Sequence, residues 1–172
     1  FVPFFNPGEN IPWNRIVKMM REQTNLAEQA DFTTVWLTEH HFAHNGYLNA
    51  PPNPIMMSLD LASHSKKIRV GQAPIVLPDW HPLRVAEDIA LLDNMTEGRV
   101  DFGVAKGINE RVTLQFNQDA DRRDNEKSYR LFMESLDVIL KAWTQNPFTH
   151  KGEFYEFPVP GWKETNRFLM PL

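Results

Sequence analysis

Short apolar runs alternate with longer stretches of helical periodicity along this chain. Residues 1–5, Phe-Val-Pro-Phe-Phe, read as the end of a first strand, and Asn6-Pro7-Gly8 as a turn. Pro12 suits a first helical turn, and Ile16, Met19, Met20, Leu26 and Ala27 then recur at helical spacing to Ala30, a helix of roughly 18 residues. Thr34-Val35-Trp36-Leu37 reads as a buried second strand. Breakers fill Asn45-Gly46 and 49–54, and a helix over 54–64 carries Ile55, Met56, Leu59 and Leu61, closed by Lys66-Lys67. Residues 68–77 form a third strand that contains Pro74, which removes a ladder donor. Pro82 opens a helix of about 14 residues through Ala86, Ile89, Leu91 and Leu92, with Gly98 as its C-terminal cap, and 99–105 is a fourth strand. The polar stretch 107–120 predicts no element. Asp121 begins a long amphipathic helix to about Thr144, and 148–157 reads as a hairpin turning at Lys151-Gly152.

Four strand–helix pairs in succession mean parallel strands joined by right-handed crossovers. Two architectures satisfy that pattern, a doubly wound sheet and a slice of a (β/α)8 barrel. A complete barrel needs ~250 residues, so four strands in 172 residues amount to about half of one. The expected organisation is a single domain over 1–172. The chain opens on Phe1 and ends on Phe168-Leu169-Met170-Pro171-Leu172, and these apolar ends suggest a piece of something longer.

Composition narrows the function. Eighteen Lys and Arg against 22 Asp and Glu give a net charge of −4, without a basic block, which argues against nucleic acid and anionic membrane as partners. No cysteine is present, so disulfides, thiolate zinc sites, iron–sulfur clusters and a cysteine nucleophile drop out. A cysteine-free chain suits a reducing cytoplasm. No apolar run approaches the ~18 residues of a membrane span, and no secretory signal segment opens the chain.

The second strand runs straight into Glu39-His40-His41, and in α/β proteins ligands bind at the carboxyl ends of strands. Histidine titrates near neutrality and serves as general base or as donor to a reacting oxygen, with a neighbouring carboxylate to fix its tautomer. The plainer alternative is an extended chain with one histidine packed and the other solvated. A metal site using His40 and His44 is disfavoured. The zinc-helix pattern places Glu directly after the first His, and His41 stands there instead. Asp101-Phe102-Gly103 matches the kinase magnesium tripeptide, but no other kinase motif accompanies it. Lys106, just past the fourth strand, is either a cation for an anionic ligand or a solvated loop lysine. Ala73-Pro74 is either a plain bulge or a cis bond that lets the strand bulge toward a flat ligand. Arg84, Glu87, Asp93 and Arg99 read as ties between elements.

Trp36-Leu37-Thr38-Glu39-His40-His41-Phe42 resembles the histidine motif of the bacterial luciferase-like flavin-dependent monooxygenases. The segments 70–78 and 81–93 resemble that family's core, 98–107 continues in register, and 151–158 has the look of its hairpin. The resemblance implies a (β/α)8 TIM barrel, of which this chain supplies about the first four βα units, with the flavin at the carboxyl face. It implies reduced FMN as a diffusible cosubstrate, or the deazaflavin F420 in one branch. With FMN and O2, a C4a-hydroperoxyflavin would oxidise an aldehyde, ketone or other organic substrate. His40 matches the family's catalytic histidine, with Glu39 as its support. Ala73 and Pro74 match the cis peptide beneath the flavin ring, and Ala105, Lys106 and Gly107 match the loop beside it. At the first two of those loop positions luciferase has cysteine and arginine. No metal is expected. The family's phosphate-binding strand lies further on, so no phosphate anchor is assigned. The resemblance further implies a homodimer and a flavin reductase as a possible partner. An F420-dependent oxidoreductase and a non-catalytic partner subunit are the alternatives.

Overall fold

A computed structural model of the chain describes residues 11–42 and 51–161. The predicted first strand, Asn45-Gly46 and His44 lie outside the described residues. The elements are α1 (Trp13–Gln29), β1 (Thr34–Leu37), α2 (Pro54–Ser63), β2 (Arg69–Gln72), β3 (Ile75–Val76), α3 (Pro82–Met95), β4 (Val100–Asp101), β5 (Val104–Ala105), α4 (Glu110–Phe116), α5 (Asn125–Thr144), β6 (His150–Lys151) and β7 (Glu156–Phe157). Single 3-10 turns occupy Leu77–Asp79 and Gln118–Ala120. Among the described residues no helix is long and apolar enough to cross a membrane.

The described elements fall into two compact units, 1–75 with 92–104, and 76–91 with 105–172. In the first unit, β1, β2 and β4 form a parallel sheet in that order, with Thr34 opposite Arg69, Leu37 opposite Gln72, and Gly71 opposite Asp101. This is the alternating α/β pattern with parallel strands that the sequence predicts. One face of the sheet is apolar. Val35, Leu37 and Val70 pack with Ile16 and Met20 of α1, Leu61 and Ala62 of α2, and Ile68. Trp36, on the other face of β1, is 43% exposed, so the strand is buried on one side only. Its indole lies over Gly71, where an added Cβ would fall 2.4 Å from the ring.

Two predicted strands are each broken in two. β2 and β3 are separated by Ala73-Pro74, because Pro74 has no N–H to continue a ladder. β4 and β5 are separated by Phe102-Gly103. Ile75 N–H donates to the Gly103 carbonyl at 2.8 Å.

Helix ends follow from local chemistry. α1 ends in a Schellman motif, with Phe32 N–H bonded to the Ala27 carbonyl and Asp31 N–H to that of Glu28, Asp31 taking φ +58°. The end of α3 repeats it through Gly98 to Asp93 and Glu97 to Asn94. Glu97, at φ +56°, occupies the left-handed cap position that the sequence suggests for Gly98; Gly98 follows at φ +79°. α2 begins at Asn53, whose side chain accepts from Met56 N–H.

In the second unit the long helix starts at Asn125 rather than Asp121, because the Asp124 side chain caps it by accepting from Lys127 N–H. The stretch 107–120, for which no element was expected, holds α4. The hairpin is present, with His150 opposite Phe157 and Lys151 opposite Glu156. Glu134 of α5 fastens it by accepting from the backbone N–H groups of Glu153, Phe154 and Tyr155 and from His150 Nε2 at 3.0 Å. Burial pushes the Glu134 carboxyl up, but the bonds from His150 and those N–H groups outweigh it and hold the group below the usual range. The His81 ring meets Tyr155 and Phe157 edge-on.

Candidate functional site

The carboxyl ends of β1 and β2 lie side by side because the two strands pair in register to their last residues, Leu37 and Gln72. The register carries one step further, where Ala73 N–H donates to the Leu37 carbonyl at 2.6 Å. Glu39-His40-His41 therefore leaves the sheet beside Ala73-Pro74, and the bond between Ala73 and Pro74 is cis.

Within the histidine segment the side chains separate by environment. Glu39 is buried, and its Oε1 lies 2.7 Å from Nε2 of His41, which is itself largely covered. His40, between them, is exposed, and among the described residues it has no side-chain partner. This differs from the expectation that Glu39 supports His40. In an extended chain, side chains two apart share a side, so the carboxylate reaches the second residue on rather than its neighbour. The outcome is one packed and one solvated histidine. The packed ring is oriented by its contact with the buried Glu39 carboxylate.

Two polar atoms at this end of the sheet are buried without a hydrogen-bond partner among the described residues: Thr38 Oγ1 and Gln72 Oε1. Gln72 is fully buried, and its Nε2 donates to Ser58 Oγ of α2 at 2.8 Å. Sequence reasoning did not single out Gln72. The signal was a glutamine in phase with Val70, which faces the helices. Gly103 closes the same end, since a Cβ there would fall 2.2 Å from the Gln72 carbonyl oxygen.

Of the charged residues read as ties between elements, Arg99 is one, whereas Arg84 and Glu87 pair within a single helix. Arg99 donates to the carbonyls of Ala62, Ile68 and Thr96, and Arg84 pairs with Glu87 and Asp88 along its own helix. Asp101, of the kinase-like tripeptide, is held by Arg69 and Thr34. Ala105, Lys106 and Gly107 belong to the second unit. Lys106 Nζ bonds to Asn125 Oδ1 at the start of α5. Gly107, at φ +82°, has no room for a side chain, because a Cβ would meet Val76 Cγ1 at 2.7 Å.

The chain resembles known proteins along most of its length. It is 32% identical over 143 residues to the alkanal monooxygenase alpha chain of the Kryptophanaron alfredi symbiont, covering 83% of this chain and 38% of that one. The oxygenating constituent of 3,6-diketocamphane monooxygenase from Pseudomonas putida, solved in complex with FMN, superposes with a TM-score of 0.75 at 21% identity, over 90% of this chain and 41% of that one. An F420-dependent secondary alcohol dehydrogenase superposes with a TM-score of 0.65 at 22% identity, over 81% of this chain and 42% of that one. The chain thus spans about two fifths of the length of these proteins, and its βα units are those of a luciferase-like TIM barrel. The sequence profile of the luciferase-like monooxygenases matches residues 1–171, and the chain belongs to that family.

Proposed function

We propose that this chain contributes the histidine wall of a flavin-dependent monooxygenase, which uses reduced FMN and O2 to oxidise a small organic substrate such as an aldehyde or ketone. The observation that carries the reading is the pairing of strand ends that sets Glu39-His40-His41 beside Ala73-Pro74. The residues present fit a flat ring. The Ala73-Pro74 step offers one methyl and one pyrrolidine, with the unpartnered Thr38 hydroxyl one residue before Glu39.

In this reading Ala73 and Pro74 hold the flavin. When bound and reduced, it supplies the electrons that activate oxygen. His40 accepts or delivers a proton at an imidazole nitrogen, which its exposure allows. Glu39 acts one step back: it anchors His41 and so fixes the backbone on either side of His40. A homodimer, a cytoplasmic setting and a flavin reductase as the source of reduced FMN belong to the same reading.

The F420-dependent relative makes hydride chemistry the competing outcome. Anaerobic titration of the full-length protein with reduced FMN and with reduced F420, followed by admission of 18O2 and an aldehyde, separates the two. Tight FMN binding with label in the product is expected. Tight F420 binding without label would sink the proposal, and binding of neither would indicate a non-catalytic subunit.

A further inference from the structure

The end of β2 is held by more bonds than a strand terminus requires. Leu37 of β1 accepts from Ala73 N–H, Gly103 accepts from Ile75 N–H, and α2 receives the Gln72 carboxamide on Ser58. The absence of a side chain at Gly103 lets the Gln72 carbonyl approach closely. The side-chain bond is the unexpected member of this set. Gln72 and Ser58 are both fully buried. The carboxamide oxygen has no partner among the described residues, so half of the amide is desolvated without return. A Met or Leu would fill the same space against the helices without that penalty. Burial alone therefore does not account for glutamine here. What it adds over an apolar residue is direction: one hydrogen bond joins the last residue of β2 to a fixed point on α2, immediately before Ala73-Pro74.

We propose that Gln72, through Ser58, is a positioning residue for the Ala73-Pro74 wall. It trades stability for a defined placement of the surface on which the ring rests. The inference rests on the reading of that wall as part of a flavin site. It concerns the tie, however, and a measurement that needs no flavin can test the tie. In Gln72→Met the apolar contact is kept and the bond is lost. In Ser58→Ala the bond is lost from the other side, with little change of volume. The full-length protein and both variants are compared by thermal unfolding, by hydrogen exchange at the Ala73 and Ile75 amides, by reduced-flavin affinity and by turnover.

Exchange at these two amides is expected to quicken about tenfold in each variant, the effect of one hydrogen bond. Tm should stay level or rise in Gln72→Met, and flavin affinity should fall by a similar factor. Because both changes remove the same bond, the double variant should lose no more than either single one. Unchanged exchange, additive losses, or a fall in Tm that tracks the functional loss in both variants would overturn the proposal. So would faster exchange with unaltered flavin affinity and turnover. If the unaltered protein binds neither flavin, the flavin reading fails, and the exchange rates alone then decide whether the tie orders this end of the sheet.

Discussion

At the amino ends of β1, β2 and β4, Arg69, Arg99, Asp101 and Glu28 are all bonded within the protein, whereas at the carboxyl ends of β1 and β2 two buried polar atoms have no partner among the described residues. Arg69 bonds to Asp101 and to the carbonyls of Gly98 and Val100. Thr34 completes Asp101 at 3.1 Å, and Arg99 spans three carbonyls. Glu28 of α1 gathers the N–H groups of Lys66, Lys67 and Ile68, where the chain enters β2. At the opposite end, Thr38 Oγ1 and Gln72 Oε1 are buried without partners, and the His40 imidazole is exposed. One end of a parallel sheet is built to stay folded. The other carries the exposed His40 and the buried, unmatched Thr38 and Gln72 oxygens.

Substitutions at the two ends should therefore separate function from stability. The largest effect is expected for His40→Ala, which should lower turnover by about 100-fold or more with stability unchanged. Steady-state kinetics beside thermal unfolding checks this, and equal losses in kcat and in flavin affinity would recast His40 as structural. Next comes Arg99→Met at the amino end. It leaves three carbonyls without their donor and should cost about 2–3 kcal/mol in denaturant unfolding, while flavin affinity of the folded fraction is kept. Thr38→Val returns to the carboxyl end with the opposite sign. Replacing a buried, unmatched hydroxyl by a methyl should stabilise the fold by about 1 kcal/mol, and a loss of stability would show that the hydroxyl is satisfied.

The smallest effect belongs to Glu28, and it depends on pH. Backbone bonds from Lys67 and Ile68 hold its carboxyl below the usual glutamate range. With the folded value depressed, its contribution is present above the unfolded value of about 4.3 and is lost as pH falls through the folded one. Glu28→Gln should thus flatten the acid limb of Tm as pH falls below about 4.3. A limb of unchanged slope would show that other carboxylates set it.

Much of this was legible in the one-dimensional pattern. The helical repeats located α1, α2 and α3 to within a residue or two, since amphipathic periodicity survives whatever surrounds it. The cis bond at Ala73-Pro74 was one of the two readings that the proline allowed. The stretch 107–120 hid α4 because seven residues make too few turns for a period to show. The start of α5 moved to Asn125 because side-chain capping, not hydrophobicity, sets a helix terminus. The order of apolar and helical stretches alone determined the alternating α/β class. Only the tertiary structure decided which side chains meet. That Gln72 reaches Ser58 across 14 positions of sequence follows from strand register and from the packing of α2 on the sheet, a relation between segments that no local stretch of sequence records. That Glu39 grips His41 rather than His40 is decided by the path the chain takes beyond β1.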